Sequence, residues 1–215
     1  MNENNLWLYS YPEIQKKTAS KLVGFGLMQI EDVKVINELD FLGKLNQKLS
    51  SSDDYKKSID KEILPFIKSW LVDSIKIIIF FENYMKAILL INGYLVHQIK
   101  KENEYENLSK EQTKRPIKLD ELNTIKPYEI DTENKTIFHE ALNFKTIGFQ
   151  TLTKKKSYHE LYGIEKELLA FIKKINIERN QLHLLRNVQF TLSTPFIENI
   201  ERLKSFIQEI ESKRK

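Results

Sequence analysis

The chain has 215 residues, 41% hydrophobic and 30% charged, with 34 basic against 30 acidic side chains, a net charge of +4 and no cysteine. This is a globular balance for one domain, or a domain with an added subdomain, and a chain of this size can bury roughly 70% of its extended surface without a disulfide or metal. Disulfides, thiolate metal sites and a cysteine nucleophile are excluded, and +4 is too mild a charge to define a nucleic-acid binder by itself.

The opening MNENNLWLYS has neither a basic n-region nor an apolar core, so no secretory signal is expected. With no cysteine to oxidise, the expected setting is the reducing cytoplasm. The stretch GFG, Gly24–Gly26, reads as a turn and not a phosphate cradle. From Glu31 to about Leu49, the residues Val35, Leu39, Leu42, Leu45 and Leu49 recur every three or four positions, which predicts an amphipathic helix. SSSDD ends it, and a second helical stretch begins near Tyr55 with Pro65 as a restart or kink.

From Phe66 to Ile99 the chain is apolar on nearly every side, which predicts a central helix wrapped by others, with His97 near its C-terminal end. Asp73, Lys76, Glu82 and Lys86 recur through its middle. Each would cost roughly 2.5–3.5 kcal/mol at a bilayer centre, so no membrane span is expected.

Lys100 to Pro127 is polar and charged, and predicts an exposed connection with a short helical turn. YEIDTENKTIF predicts a small hairpin around Asp131–Asn134, and TIGFQTL and SYHELYGI follow as short pieces. A helix is expected from about Ile164 to Leu185. The last helix opens at Thr194-Pro195, threonine as cap and proline at the first helical position, with a stripe of Ile197, Ile200, Leu203, Ile207 and Ile210. The sum is an all-α fold, an antiparallel helical bundle with a short β-hairpin in its middle segment. Residues 1–60 form an N-terminal helical extension and 61–215 the bundle, unless 1–215 is one continuous domain. The basic clusters Lys100-Lys101, Lys154–Lys156, Lys173-Lys174 and Lys213–Lys215 read as solvated faces.

The helix from Ile164 carries the chemistry. Its stripe runs Leu168, Ile172, Ile175, then Arg179, Leu182 and His183, which puts an arginine on the apolar face and a histidine one turn beyond. A buried arginine needs a partner, so Arg179 is either paired inside the fold or set in a cleft or subunit interface. Glu82 is the evident acid for such a bridge, but Lys86, four residues after Glu82, competes for it. His97 reads as a helix-terminal residue, and His139 and His159 as surface residues of irregular segments. There is no HExxH, P-loop, dinucleotide fingerprint or nucleophile elbow, so neither a metal site nor a cofactor is expected.

FENYMKAILLINGY (Phe81–Tyr94) followed by ERNQLHLL (Glu178–Leu185) resembles the HEPN superfamily, small helical-bundle domains of which many are metal-independent ribonucleases. Glu82, Lys86 and Ala87 match the Glu-x-x-x-Lys-Ala pattern of its early helix. Arg179, Asn180 and His183 match the arginine, polar residue and histidine of its late helix. The likeness covers roughly Trp70 to Ile210. Arginine and histidine are three residues apart here (Asn180, Gln181, Leu182), where the family pattern usually has more.

The resemblance implies an endoribonuclease, a toxin or phage-defence effector, in which the RNA 2′-hydroxyl attacks the adjacent phosphate. His183 would be general acid or base, Arg179 would hold the phosphoryl oxygens, and Asn180 would orient either, with Glu82 and Lys86 in support. It also implies a homodimer with the motifs facing across a two-fold axis, and an antitoxin or other protein as regulator. The alternative is a non-catalytic HEPN-like module for dimerisation, RNA binding or protein binding. The short Arg–His interval favours the module, and the inward placement of the pair favours the enzyme.

Overall fold

A computed structural model describes residues 12–37, 40, 43–44, 61, 64–131, 133, 136–183 and 193–214. Among them the chain is mostly helical, with two small antiparallel two-stranded sheets. It divides into two compact units, one of Gly26–Phe80 with Ile164–Lys215, the other of Met1–Phe25 with Phe81–Gly163. No helix among the described residues is long and apolar enough to cross a membrane.

The chain enters through α1 (Pro12–Ile30), turns at Glu31-Asp32, and forms the short α2 (Lys34–Asn37). The helix expected from Glu31 therefore starts three residues later, because α1 occupies the chain up to Ile30. Leu39, Leu42, Leu45 and Leu49 of its predicted stripe, and the predicted start near Tyr55, lie outside the described residues. GFG is not a turn: it sits inside α1. Gly26 is buried, and a Cβ there would lie 3.1 Å from Phe80 Cδ2 and 3.4 Å from the Phe80 backbone. The glycine serves close helix contact instead of chain reversal.

The long helix α3 (Leu64–Ile91) gives the first unit its aromatic centre. Trp70, 1% exposed, meets the Phe196 ring edge-on at 5.1 Å, and Phe196 meets Phe171 in the same way at 5.8 Å. The helix is not covered all round, since Val72, Ile75 and Ile79 remain 38–51% exposed along one stripe. Its Asp73 is buried, with Oδ2 accepting the Val35 N–H at 3.1 Å, so α3 caps the first turn of α2 from outside. Lys76 holds Asp32, beside that turn, at 2.6 Å.

α3 stops at Ile91, well short of the predicted Ile99. Gly93 takes φ +75° and lets Tyr94 N–H return to the Leu89 carbonyl at 2.9 Å, a left-handed helix stop. The apolar run that follows becomes β1 (His97–Ile99), so His97 belongs to a strand and not to a helix end. The predicted exposed connection after it is also partly wrong. It contains α4 (Glu106–Gln112) and α5 (Leu119–Asn123), and Tyr105, Ile117, Leu119 and Leu122 are buried with Leu95, Ile99, Ala141 and Leu142 in a compact core. The Tyr105 hydroxyl donates to Glu140, and burial together with that carboxylate pushes its pKa up to about 12.

The hairpin forms where predicted, β2 (Glu129–Asp131) against β3 (Thr136–Phe138) with Ile130 opposite Ile137. β4 (Leu142–Thr146) turns back to pair with β1. The predicted short pieces are α6 (Phe149–Lys154) and α7 (Lys156–Tyr162). α8 (Lys166–His183) and α9 (Thr194–Ser212) are the two closing helices. The cap of α9 is Ser193 and not Thr194, and Phe196 leads its buried stripe in place of the half-buried Ile197.

Burial raises the Asp73 carboxyl above its usual range, against the downward pull of the Val35 N–H and of Lys76. Native Asp73 thus keeps its proton to higher pH than the unfolded chain does, and its contribution to stability falls as pH rises from the ordinary carboxylate pKa through the raised one. Asp73→Asn should abolish that pH dependence while keeping an oxygen for Val35. Asp73→Ala orphans the amide and should cost about 1–2 kcal/mol, measurable by urea unfolding across the carboxylate range.

Candidate functional site

α8 buries Leu168, Leu169, Phe171, Ile172 and Ile175. One turn beyond Ile175, at the same side of a 3.6-residue helix, the chain places Arg179, which is half-buried. Its guanidinium turns to its neighbour: Nη2 donates to Asn180 Oδ1 at 2.9 Å and Nε to the same oxygen at 3.3 Å. No carboxylate pairs with Arg179 among the described residues. Arginine carries five N–H donors in a planar fork, so this contact orients the group and leaves donors for an incoming oxyanion. His183 is the last residue of α8, one further turn along.

Glu178, next to Arg179, was not among the residues singled out by sequence, although it stands in the same motif. Its side chain is 18% exposed, burial raises its carboxyl above the usual range, and Lys174 at 3.7 Å lowers it less. Lys173, expected on a solvated face, is half-buried, and burial lowers its pKa. Of the two perturbed groups only Glu178 is adjacent to Arg179; Lys173 lies nearly two turns before it on α8.

Glu82 and Lys86 belong to the other compact unit, with Arg179, Asn180 and His183 in the first. Of the two partners the sequence offers Glu82, the structure joins it to Lys86, Nζ to Oε1 at 2.6 Å. Lys86 also donates to Thr146 Oγ1 at 2.8 Å, so the pair ties the end of β4 onto α3.

The remaining histidines are held by main-chain atoms. His97 Nδ1 lies 3.2 Å from the Asn143 carbonyl oxygen, and His159, on α7 and not in an irregular segment, has Nε2 2.7 Å from the Thr153 oxygen. His139 is not at the surface but 2% exposed. Its Nδ1 accepts the Ala141 N–H at 3.1 Å and its Nε2 faces the Lys126 carbonyl at 3.0 Å, which assigns the neutral tautomer protonated on Nε2. Two backbone bonds and an edge contact with Tyr105 at 5.6 Å make its burial possible without a charge. Among the described residues there is no group of three acidic, histidine or cysteine side chains that could hold a metal ion.

Compared with family models, with curated proteins and with solved structures, the chain matches none.

Because its polar contacts go to the adjacent Asn180, Arg179 has little fold to support. Arg179→Ala should change unfolding free energy by no more than about 0.5 kcal/mol. A loss of about 3–5 kcal/mol, the usual cost of breaking a buried ion pair, would make it a structural tie instead.

Proposed function

We propose that the chain is a HEPN-like, metal-independent endoribonuclease that works as a homodimer. The observation that carries this reading is Arg179: a half-buried cation on the apolar side of α8, steered by Asn180 and with no acid partner among the described residues. It stands one helical turn before His183. An unneutralised guanidinium in a half-buried position is stabilised by an anion that arrives from outside, and RNA supplies one in its phosphate.

In the proposed reaction the ribose 2′-oxygen attacks the adjacent phosphorus, giving up its proton to a base. The bond from phosphorus to the 5′-oxygen breaks, the leaving oxygen takes a proton, and a 2′,3′-cyclic phosphate remains. His183 moves one of these protons, since imidazole titrates near neutral pH. Arg179 neutralises the charge that builds on the phosphoryl oxygens, and Asn180 fixes the plane of the guanidinium. Glu82 and Lys86 support the fold. A second copy fits the exposed stripe Val72, Ile75 and Ile79, apolar surface that a dimer can bury.

The three-residue Arg–His interval favours a second reading, a non-catalytic module that binds RNA or a protein regulator such as an antitoxin. One experiment separates the two. The protein, sedimenting at twice the 25.5 kDa chain mass, should cut single-stranded RNA in EDTA and leave a 2′,3′-cyclic phosphate. A 2′-deoxy residue at the cleaved position should block the cut. His183→Ala and Arg179→Ala, each with a wild-type melting curve, should slow it by about two to four orders of magnitude. Cleavage that survives in folded His183→Ala removes His183 from the chemistry and overturns the proposed reaction, and no cleavage of any RNA leaves the binding module.

A further inference from the structure

The unit that contains β1 and β4 holds a cavity of about 440 Å³, within the size range of small-molecule pockets. Its walls come from β1 and the residues after it, α4, β4 and the start of α6. Among the described residues no aromatic side chain lines it, and its two isoleucines, Ile99 and Ile147, are 4% and 2% exposed. The wall therefore offers no shelf on which a ring or a hydrocarbon tail could lie, and it suits a small ligand that is polar throughout.

Three charges, Lys100, Lys101 and Glu102, share the wall, and none lies within ion-pair distance of an opposite charge among the described residues. Lys110 holds Glu106 at 2.7 Å and lowers its carboxyl, with Lys101 adding a weaker pull from farther off. The buried part of the wall is rich in donors. Gln112 is 5% exposed, and its side-chain amide takes the place of a third strand along β1: Oε1 accepts the Ile99 N–H at 2.9 Å and Nε2 donates one hydrogen to the His97 carbonyl at 2.8 Å. The second Nε2 hydrogen has no partner among the described residues. Neither has the hydroxyl of Ser109, 6% exposed, which lines the same cavity one turn earlier on α4. Side chains at i and i+3 of a helix are neighbours, so one carboxylate can accept from both. Buried donors left unpaired are destabilising and rare, so an acceptor delivered from the cavity would stabilise these two. Gln98, bonded through Nε2 to the Thr146 carbonyl, keeps its Oε1 available as an acceptor.

Two ammoniums and one carboxylate call for a ligand with two carboxylates and one ammonium, the charge pattern of an acidic amino acid. We infer that this cavity binds free glutamate or aspartate. One carboxylate accepts from the Ser109 hydroxyl and the Gln112 amide beside the half-buried Lys100, and the other meets Lys101. The ammonium goes to Glu102 and to Gln98 Oε1, and water fills what the amino acid leaves. The site goes beyond RNA cleavage and is independent of Arg179 and His183, which lie in the other unit.

Calorimetric titration of the full chain tests this, with glutamate, aspartate, their ammonium-free analogues glutarate and succinate, glutamine, and inorganic phosphate. Glutamate or aspartate should bind saturably at one site per chain. It should bind about tenfold more tightly than the diacid of the same length, which lacks the ammonium, or than glutamine, which lacks the second carboxylate. Lys100→Gln and Lys101→Gln should each weaken it by about tenfold, the usual effect of losing a charge-assisted hydrogen bond. Glu102→Gln should bring the amino acid down to the affinity of its diacid and leave the diacid no weaker, a change of preference that a merely structural residue would not produce. Ser109→Ala should weaken binding severalfold without lowering the melting temperature of the free protein, the sign of a hydroxyl that faces the ligand and not the fold. Arg179→Ala should bind as wild type, so loss of RNA cleavage and loss of this site can be told apart. The inference is overturned if neither amino acid binds up to millimolar concentration, if a diacid, glutamine or phosphate binds as tightly, or if Glu102→Gln keeps the wild-type preference over the diacid.

Discussion

The long helix α3 carries polar groups through an apolar sequence, and those it buries or half-buries are met by neighbouring elements or by a residue one turn along the helix itself. Desolvating an unpaired carboxylate or ammonium would cost more than the surrounding leucines and isoleucines return. Asp73 meets the Val35 amide, Lys76 meets Asp32, Tyr84 donates to the Tyr162 carbonyl, and Lys86 joins Glu82 and Thr146. These contacts fix α2 in one compact unit, and α7 and β4 in the other. Dispersion and hydrophobic burial give the helix its core, but such forces are non-directional. The polar ties select which residue of each neighbour lies where.

How far the sequence foretold this depends on which interactions are local. α8 and α9 were legible because their apolar stripes repeat at helical spacing, and the β2–β3 hairpin because a polar turn separates two β-prone runs. α1 was missed: its glycines read as a turn, while the Phe80 contact that calls for Gly26 lies far along the chain. The stop at Asn92-Gly93 was written in the sequence, yet the apolar run through Leu95 and Val96 masked it. β1 exists because β4 pairs with it on one side and the Gln112 amide on the other, and neither partner can be inferred from His97-Gln98-Ile99. His139 shows the same limit, since only its two main-chain bonds explain how an imidazole comes to be buried.

The candidate site divides in a similar way. The half-buried position of Arg179 followed from helical periodicity, whereas its contact with Asn180 and the perturbed Glu178 depend on local side-chain geometry. For Glu82 the sequence left two partners open, and the i, i+4 neighbour holds it. The cavity beside β1 had no sequence signature, because its walls are drawn from residues between Gln98 and Thr151 across four elements. Lys100 and Lys101, read as part of a solvated face, are the cations at its mouth.

If the polar ties on α3 organise the structure, that helix should be the last element to open. Native-state hydrogen exchange measures this residue by residue. The amides from Ile77 to Leu90 should exchange slowest in the chain, close to the rate set by global unfolding, and more slowly than those of α4, α5 and the β2–β3 hairpin. Rapid exchange across Ile77 to Leu90 while α8 and α9 stay protected would contradict the account.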